Sequence, residues 1–126
     1  MPKILIVDDE QKVRQMLEET LEELDGQGVQ LIVAGNGMEA LEAIRQQRPD
    51  LVFLDVLMPK MNGIEVCDAV KKQLRMTNVR IVMLTTEGQD HENQRALEAG
   101  ADGTLMKPLD PDEVYESAVK VLGLPE

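Results

Sequence analysis

Three aspartates follow two strongly apolar segments of the chain. Asp8 and Asp9 come directly after Lys-Ile-Leu-Ile-Val at residues 3–7, and Asp55 comes directly after Leu-Val-Phe-Leu at residues 51–54. Short apolar runs without alternation are typical of strands buried on both faces, as in parallel sheets. Since open α/β sheets bind their ligands at the carboxyl ends of the strands, these carboxylates mark the candidate site.

Two further polar side chains are expected at the same edge, because the carboxyl ends of parallel strands lie together. Thr85 follows a predicted strand at 79–84, and Lys107 follows one at 102–106. Crowded carboxylates repel each other, and a hard divalent cation such as Mg²⁺ relieves that repulsion. With the metal and Lys107 holding an anion beside Asp55, phosphoryl transfer fits best. Asp55 would be the nucleophile, and Thr85 would hydrogen-bond a phosphoryl oxygen.

Strand and helix patterns alternate along the chain. The predicted strands cover residues 3–7, 29–34, 51–55, 79–84 and 102–106, and the predicted helices cover 11–24, 38–47, 64–74, 87–99 and 111–122. The expected apolar faces include Met38 in the second helix, Leu74 in the third and Leu97 in the fourth, which is the weakest of the five. The pattern predicts an α/β fold, a (βα)5 doubly wound parallel five-stranded sheet with right-handed crossovers.

Composition limits the possible functions. The 126 residues are expected to form one domain over positions 1–126. The net charge of −11 argues against direct binding to nucleic acid, and the two aromatic residues offer little surface for base stacking. The single cysteine, Cys67, is expected in the core, since one cysteine cannot form an internal disulfide. No run suits a membrane span or signal peptide, so we expect a cytoplasmic protein without membrane contact.

The motif set as a whole resembles that of bacterial two-component response-regulator receiver domains. The motifs that carry the resemblance, in chain order, are Asp8-Asp9, Asp55 with Met58-Pro59 and Asn62-Gly63, Thr85, and Lys107-Pro108. Their order and spacing match over essentially the whole chain. The resemblance implies a flavodoxin-like, CheY-like fold with strand order 2-1-3-4-5.

The resemblance also implies roles for individual residues. Asp55 would accept a phosphoryl group from a sensor histidine kinase or a histidine phosphotransfer protein, within a phosphorelay. Mg²⁺ would be bound by Asp9, Asp55 and the main-chain carbonyl of Leu57, with Asp8 acting through water. Lys107 would pair with the phosphoryl oxygens. Members of the family also catalyse their own phosphorylation from small donors and their own dephosphorylation, although they are signalling domains and not enzymes.

The resemblance further implies a switch, and here the sequence departs from the family pattern. In the family, the threonine moves toward the phosphate, and the face formed by the fourth helix, fifth strand and fifth helix changes shape for an effector protein. An aromatic residue ordinarily takes part in this change. The matching position is Thr104, so switching here would use hydrogen bonding or loop order instead.

Two other functions fit parts of the sequence. Residues 35–40, Gly-Asn-Gly-Met-Glu-Ala, match a dinucleotide-binding fingerprint, but they follow the second strand, not the first. That interpretation also leaves four polar residues unexplained, namely Asp8, Asp9, Thr85 and Lys107. A tight turn before a helix accounts for the glycines. The second alternative is a docking module that works without phosphorylation, against which the crowded carboxylates argue.

Overall fold

The computed structural model describes residues 2–58, 60–86 and 90–124, and within these residues strands and helices alternate. The side chains of Asp90 and Glu92 lie outside the description. The strands are β1 (Lys3–Val7), β2 (Gln30–Ala34), β3 (Leu51–Asp55), β4 (Arg80–Thr86) and β5 (Gly103–Lys107). The helices are α1 (Gln11–Asp25), α2 (Gly37–Gln47), α3 (Gly63–Asp68), α4 (Asp90–Glu98) and α5 (Pro111–Leu122), and a π-helical turn (Ala69–Gln73) continues α3.

All five strands pair in parallel, in the order β2-β1-β3-β4-β5. This confirms the predicted (βα)5 sheet and its strand order. Alternate strand residues enter two separate cores. Leu5, Val52 and Met83 pack beneath α2, α3 and α4, whereas Ile6 and Phe53 pack beneath α1 and α5. The helices therefore cover both faces, which is why β1 and β3 have almost no polar residues before their carboxyl ends.

Side-chain caps mark the N-terminal ends of α3 and α5. Asn62 accepts a hydrogen bond from the N–H of Glu65 at 2.9 Å, and the Glu65 carboxylate accepts one from the N–H of Asn62 at 3.1 Å. Asp110 accepts from the N–H of Asp112 at 2.9 Å, directly before Pro111 at the first position of α5. These caps fix where α3 and α5 begin relative to the strands that precede them.

The third helix differs from the prediction of a regular helix over 64–74. Its second half is π-helical, and the N–H of Leu74 donates to the carbonyl of Ala69, five residues back. The extra residue in this turn rotates the following residues about the helix axis, so Leu74 is 42% exposed and not buried as predicted. Val70 and Cys67, before the rotation takes effect, are buried as expected.

Two other predicted core residues are also exposed. The inward stripe of α2 consists of Gly37, Ala40 and Ile44, which leaves Met38 58% exposed. Ala96 in α4 and Ala99 directly after it face the core, and Leu97 faces outward. The predicted start of the fourth helix, at residues 87–89, lies outside the described residues.

The helices are too short or too polar to cross a membrane. Among the residues that the structure describes, none forms a helix with the length and apolar character of a bilayer span.

Candidate functional site

The structure brings the predicted site residues to one edge of the sheet. Asp8 and Asp9 follow β1, Asp55 ends β3, and Lys107 ends β5. One carboxylate oxygen from each aspartate can be chosen such that the three lie within 4.8 Å of one another. The parallel register produces this cluster, because it aligns the carboxyl ends of β1, β3 and β5 across the sheet.

Asp8 is the most deeply buried of the three aspartates, with no exposed surface. Its Oδ1 accepts a hydrogen bond from the N–H of Glu10 at 2.9 Å. Its Oδ2 lies 2.9 Å from Lys107 Nζ and forms an ion pair with it. Both oxygens of this buried carboxylate therefore already have a partner, and its negative charge adds to the cluster beside Asp55.

Asp9 differs from Asp8 in being exposed. Within the part of the chain that the structure describes, its side chain makes no hydrogen bond or ion pair. Neither Asp8 nor Asp9 occupies the N-cap position of α1. Glu10 occupies the N-cap position, and its side chain makes no capping hydrogen bond. The Asp9 carboxylate is thus available to a metal ion or to solvent.

Asp55 is 4% exposed and has a strongly perturbed carboxyl group. Burial is the main cause, and together with the nearby Asp8 carboxylate it raises the pKa of Asp55 from 3.8 to about 7. Two groups act to lower this pKa. Lys107 Nζ lies 3.4 Å from Asp55 Oδ1, and the N–H of Leu57 donates to the same oxygen at 3.3 Å. Asp55 is thus a buried acid whose charged form needs cations nearby.

Lys107 contacts two of the three aspartates, and its side chain is 21% exposed. Burial lowers the pKa of Lys107, but the contacts with Asp8 and Asp55 outweigh it and hold the pKa above the usual 10.5. The ammonium group therefore stays charged. The Lys107–Pro108 peptide bond is cis.

Thr85 is buried at the same edge but is oriented toward β5. Its hydroxyl donates a long hydrogen bond of 3.4 Å to the carbonyl of Leu105. The structure therefore places Thr85 in the predicted strand-end position, with its hydroxyl engaged by the edge strand and not by Asp55. Thr104, on β5, is half-buried and borders a cleft of about 460 Å³ between β4, β5 and α5.

Two glycines allow the loops of this edge to pack closely. A Cβ atom on Gly63 would lie 2.2 Å from the carbonyl oxygen of Asp55, and one on Gly37 would lie 1.9 Å from that of Met61. The Gly-Asn-Gly segment of the dinucleotide fingerprint therefore serves loop packing, since Gly37 lets α2 contact the loop after β3. Asn36 caps α2 by accepting from the N–H of Glu39 at 2.9 Å.

Sequence reasoning missed Arg14, which lies on the first turn of α1. Its guanidinium donates a hydrogen bond to the main-chain carbonyl of Asp8. This contact links α1 to the peptide that carries the acidic pair. The available signal was the position of an arginine one helical turn into the element that follows Asp9, but that signal is weak without the structure.

The acidic cluster fits a hard divalent cation. Three carboxylates converge, two of them buried, and Lys107 is the only cationic side chain of the described residues in ion-pair contact with them. Oxygen ligands of this kind suit Mg²⁺, which commonly uses one or two carboxylates and keeps several waters. The pKa of Asp55, raised mainly by burial and further by Asp8, shows that its charged form would be favoured by a cation bound there.

Comparisons with known proteins agree on the family. The family described as "Response regulator receiver domain" matches residues 4–119. The alkaline phosphatase synthesis transcriptional regulatory protein PhoP of Bacillus subtilis is 41% identical over 120 residues, covering 95% of this chain and 48% of that protein. The DNA-binding response regulator MtrA of Mycobacterium leprae is 42% identical over 112 residues, covering 89% and 47%. The chain thus spans about half the length of the curated relatives it matches.

Solved structures give the same result. A putative response regulator from Chloroflexus aurantiacus superposes with a TM-score of 0.86 at 35% identity, covering 98% of this chain and 99% of the other. The chemotaxis response regulator CheY4 of Vibrio cholerae superposes with a TM-score of 0.84 at 36% identity, covering 96% and 98%. Together with the sheet order and the acidic edge, these likenesses establish that the chain belongs to the response regulator receiver domain family of two-component signalling systems.

Proposed function

We propose that Asp55 is the phosphoacceptor of this receiver domain. The observation that carries the proposal is the environment of this one carboxylate, buried at a strand end between Asp8 and Lys107. An ionised Asp55 oxygen attacks the phosphorus of a phosphohistidine, the P–N bond breaks, and the imidazole leaves with its electron pair. The product is an acyl phosphate on Asp55. Asp9 and Glu10 are exposed, so neither has the buried environment of Asp55.

We propose Mg²⁺ as the cofactor, held by Asp9, Asp55 and the carbonyl of Leu57, with Asp8 acting through water. When bound, the ion supplies positive charge that favours ionised Asp55 and offsets the charge of the phosphoryl oxygens. The contacts of Asp8 support its indirect role, because one of its oxygens already accepts from Glu10 and the other pairs with Lys107. Asp9, by contrast, is exposed and free of such contacts among the described residues.

Lys107 and Thr85 are proposed to respond to the phosphoryl group. Lys107 Nζ, already 3.4 Å from Asp55 Oδ1, contributes a charge that stabilises oxygens added at that position. For Thr85 to donate to a phosphoryl oxygen, its hydroxyl must release the carbonyl of Leu105. The 3.4 Å length of that hydrogen bond makes the exchange inexpensive. Breaking it removes the contact of the Thr85 hydroxyl with β5, while the main-chain pairing of β4 with β5 remains, and this change couples the site to the edge strand.

The phosphoryl donor is proposed to be a sensor histidine kinase or a histidine phosphotransfer protein, and small acyl phosphates are proposed to serve as well. Water attacking the same phosphorus would restore Asp55, which gives intrinsic dephosphorylation. These steps make the domain a signalling switch that reacts with its own donor, rather than an enzyme acting on many substrate molecules.

The output surface is proposed to lie on α4, β5 and α5. Leu97 on α4 is 56% exposed and Met106 on β5 is 47% exposed, so this side of the fold presents apolar side chains to a protein partner. Thr104 lies on the same strand, and its small side chain leaves the neighbouring cleft open. Residues 1–126 are proposed to act as one cytoplasmic receiver domain whose effector is a protein, with no direct contact to nucleic acid or membrane.

The experiment that tests the phosphoacceptor is intact-mass measurement after incubation with Mg²⁺ and acetyl phosphate. The expected result is an added phosphoryl mass on the native protein, which is absent from the variant Asp55→Asn and retained in the control Glu19→Gln on the outer face of α1. A phosphorylated Asp55→Asn variant would overturn the assignment of the residue. No adduct on the native protein, with no Mg²⁺ binding by titration, would favour a docking module that works without phosphorylation.

A further inference from the structure

A second candidate site lies at the opposite edge of the sheet from the aspartates. A cleft of about 370 Å³ is lined by residues 48–50, which lead into β3, and by residues 74–79, which lead into β4. These segments precede the strands, so the cleft lies at their amino ends. Its volume falls within the range of small-molecule sites. None of the groups assigned to phosphoryl transfer borders it.

The backbone of the cleft is strained at two arginines. Arg48 ends α2 with φ of 47°, and Arg75 follows the π-helical turn with φ of 53°. Left-handed backbone is costly for residues other than glycine, asparagine and aspartate. Arg48 also precedes Pro49, a position that disfavours compact backbone conformations still further. Strain retained at two residues that line one cleft is the kind of feature that marks a functional site.

The charge of the cleft is opposite to that of the protein. The chain carries a net charge of −11, yet this cleft has two exposed arginines. Among the described residues, neither guanidinium forms an ion pair or a side-chain hydrogen bond. Asp50, the one acid of the lining, accepts a hydrogen bond from the N–H of Lys3 at 2.8 Å. Both guanidiniums therefore remain available to an anion from solution.

One wall of the cleft is apolar. The π-helical turn rotates Leu74 outward, and this side chain borders the cleft beside the half-buried Met76. Thr77 and Asn78 provide hydroxyl and amide groups in the same lining. A ligand that uses all of these features has an oxyanion for the arginines and a short aliphatic part for Leu74. Stacked bases are not favoured, because none of the described residues that line the cleft is aromatic.

We propose that this cleft binds a small organic oxyanion, a phosphate or carboxylate on a short aliphatic body, through Arg48 and Arg75. Guanidinium groups pair with both kinds of oxyanion through parallel hydrogen bonds, which is the chemistry the two arginines share. The competing explanation is that each arginine only offsets the negative end of the helix it follows. A substitution that removes the arginine charge without disturbing the backbone distinguishes the two explanations. It weakens oxyanion binding only if the arginines bind the ligand.

Asparagine provides that substitution, because it accepts left-handed backbone and carries no charge. The variants are Arg48→Asn and Arg75→Asn, and the control is Arg45→Gln, an equal charge change on α2 outside the cleft. Binding is measured by NMR titration in Mg²⁺-free buffer with inorganic phosphate, butyl phosphate and pentanoate. The last two probes distinguish a phosphate source from a carboxylate source. Amide spectra verify that each variant is folded.

The expected result is saturable shifts at residues 48–50 and 74–79, with butyl phosphate binding at least about threefold more tightly than inorganic phosphate. Each asparagine variant weakens binding by about tenfold, whereas Arg45→Gln does not. Leu74→Ser removes only the tighter binding of butyl phosphate relative to inorganic phosphate. Shifts that map to the aspartate edge, affinities unchanged in both asparagine variants, or no saturable shift with any probe would overturn the proposal. Acetyl phosphate acceptance by Asp55, measured separately, does not depend on the outcome.

Discussion

Replacing Asp55 by asparagine should make the metal-free protein more stable, and increasingly so as the pH rises. Asparagine has the same shape but cannot ionise. In the native protein the pKa of Asp55 is raised from 3.8 to about 7. The folded protein therefore binds a proton over a pH range in which the unfolded chain has already released it, and native stability falls across that range.

The size of the effect follows from the same pKa values. At about 1.4 kcal/mol for each pKa unit, complete ionisation of Asp55 in the folded protein costs about 4 kcal/mol. Stability is unaffected below about pH 4, where both states are protonated, and the full loss is reached above about pH 7. The pI of about 4.5 makes acidic solutions impractical. Between about pH 5 and about pH 8 the advantage of Asp55→Asn should grow by about 2–3 kcal/mol.

Urea unfolding followed by circular dichroism, with EDTA present, measures this difference, because the chain lacks tryptophan. The control is Glu19→Gln, which removes an exposed carboxylate and should follow the native pH profile. Adding Mg²⁺ should stabilise the native protein more than Asp55→Asn, since one proposed ligand is missing from the variant. A difference between Asp55→Asn and native protein that stays constant from about pH 5 to about pH 8 would refute the argument.

Three other changes should give distinct results. Gly63→Ala should destabilise the fold by about 3 kcal/mol, because the added Cβ meets a main-chain carbonyl. Gly26→Ala, at φ of −66°, should be nearly neutral in the same urea assay, and equal losses would contradict the packing argument. Lys107→Ala should cost about 3 kcal/mol without metal, since two buried carboxylates lose their cation. Calorimetry should show Mg²⁺ binding retained in this variant, and intact mass should show whether it accepts phosphate. Asp102→Asn should lower stability by about 1–3 kcal/mol, because it removes the 2.8 Å ion pair with the largely buried Lys71. Thermal melts unchanged by that substitution would show the pair to be dispensable.

The fold could be predicted from the sequence because its strands are short and strongly apolar. The strands at residues 3–7 and 51–55 agree with their predicted bounds to the residue, since nothing else in the chain competes with such runs. Parallel pairing then placed Asp8, Asp55 and Lys107 at one edge, as the contacts confirm. The strand order came from the resemblance, since alternation alone fixes the fold class and not the order of strands.

The errors in the predicted core have local causes that apolar periodicity cannot indicate. Leu74 is displaced by the π-helical turn, in which Lys71 reaches the carboxylate of Asp102 at 2.8 Å and the carbonyl of Val79 at 2.6 Å. These partners lie in the loops directly before β4 and β5. Met38 is displaced because Gly37, lacking a side chain, is the residue pressed against the neighbouring loop.

Within the site, the types of residue could be predicted but their mutual contacts could not. The orientation of the Thr85 hydroxyl depends on the carbonyl of Leu105, one strand away. The pKa of Asp55 depends on its burial and on Asp8 and Lys107, which are distant along the chain. Arg14 was missed because its partner is a main-chain carbonyl, which leaves no mark in a pattern of side chains.

The close packing of Gly63 has a consequence for the direction of motion in this domain. The loop after β3 rests directly on the peptide that carries Asp55, with no space for even a methyl group between them. That peptide is therefore a fixed support, and charge added to its side chain cannot be accommodated by moving the backbone beneath it. Displacement is instead expected across the site, where the Thr85 hydroxyl contacts β5 through one long hydrogen bond. The backbone at Asp55 is therefore rigid, whereas the Thr85 side of the site can move. A change at Asp55 is consequently transmitted toward β5.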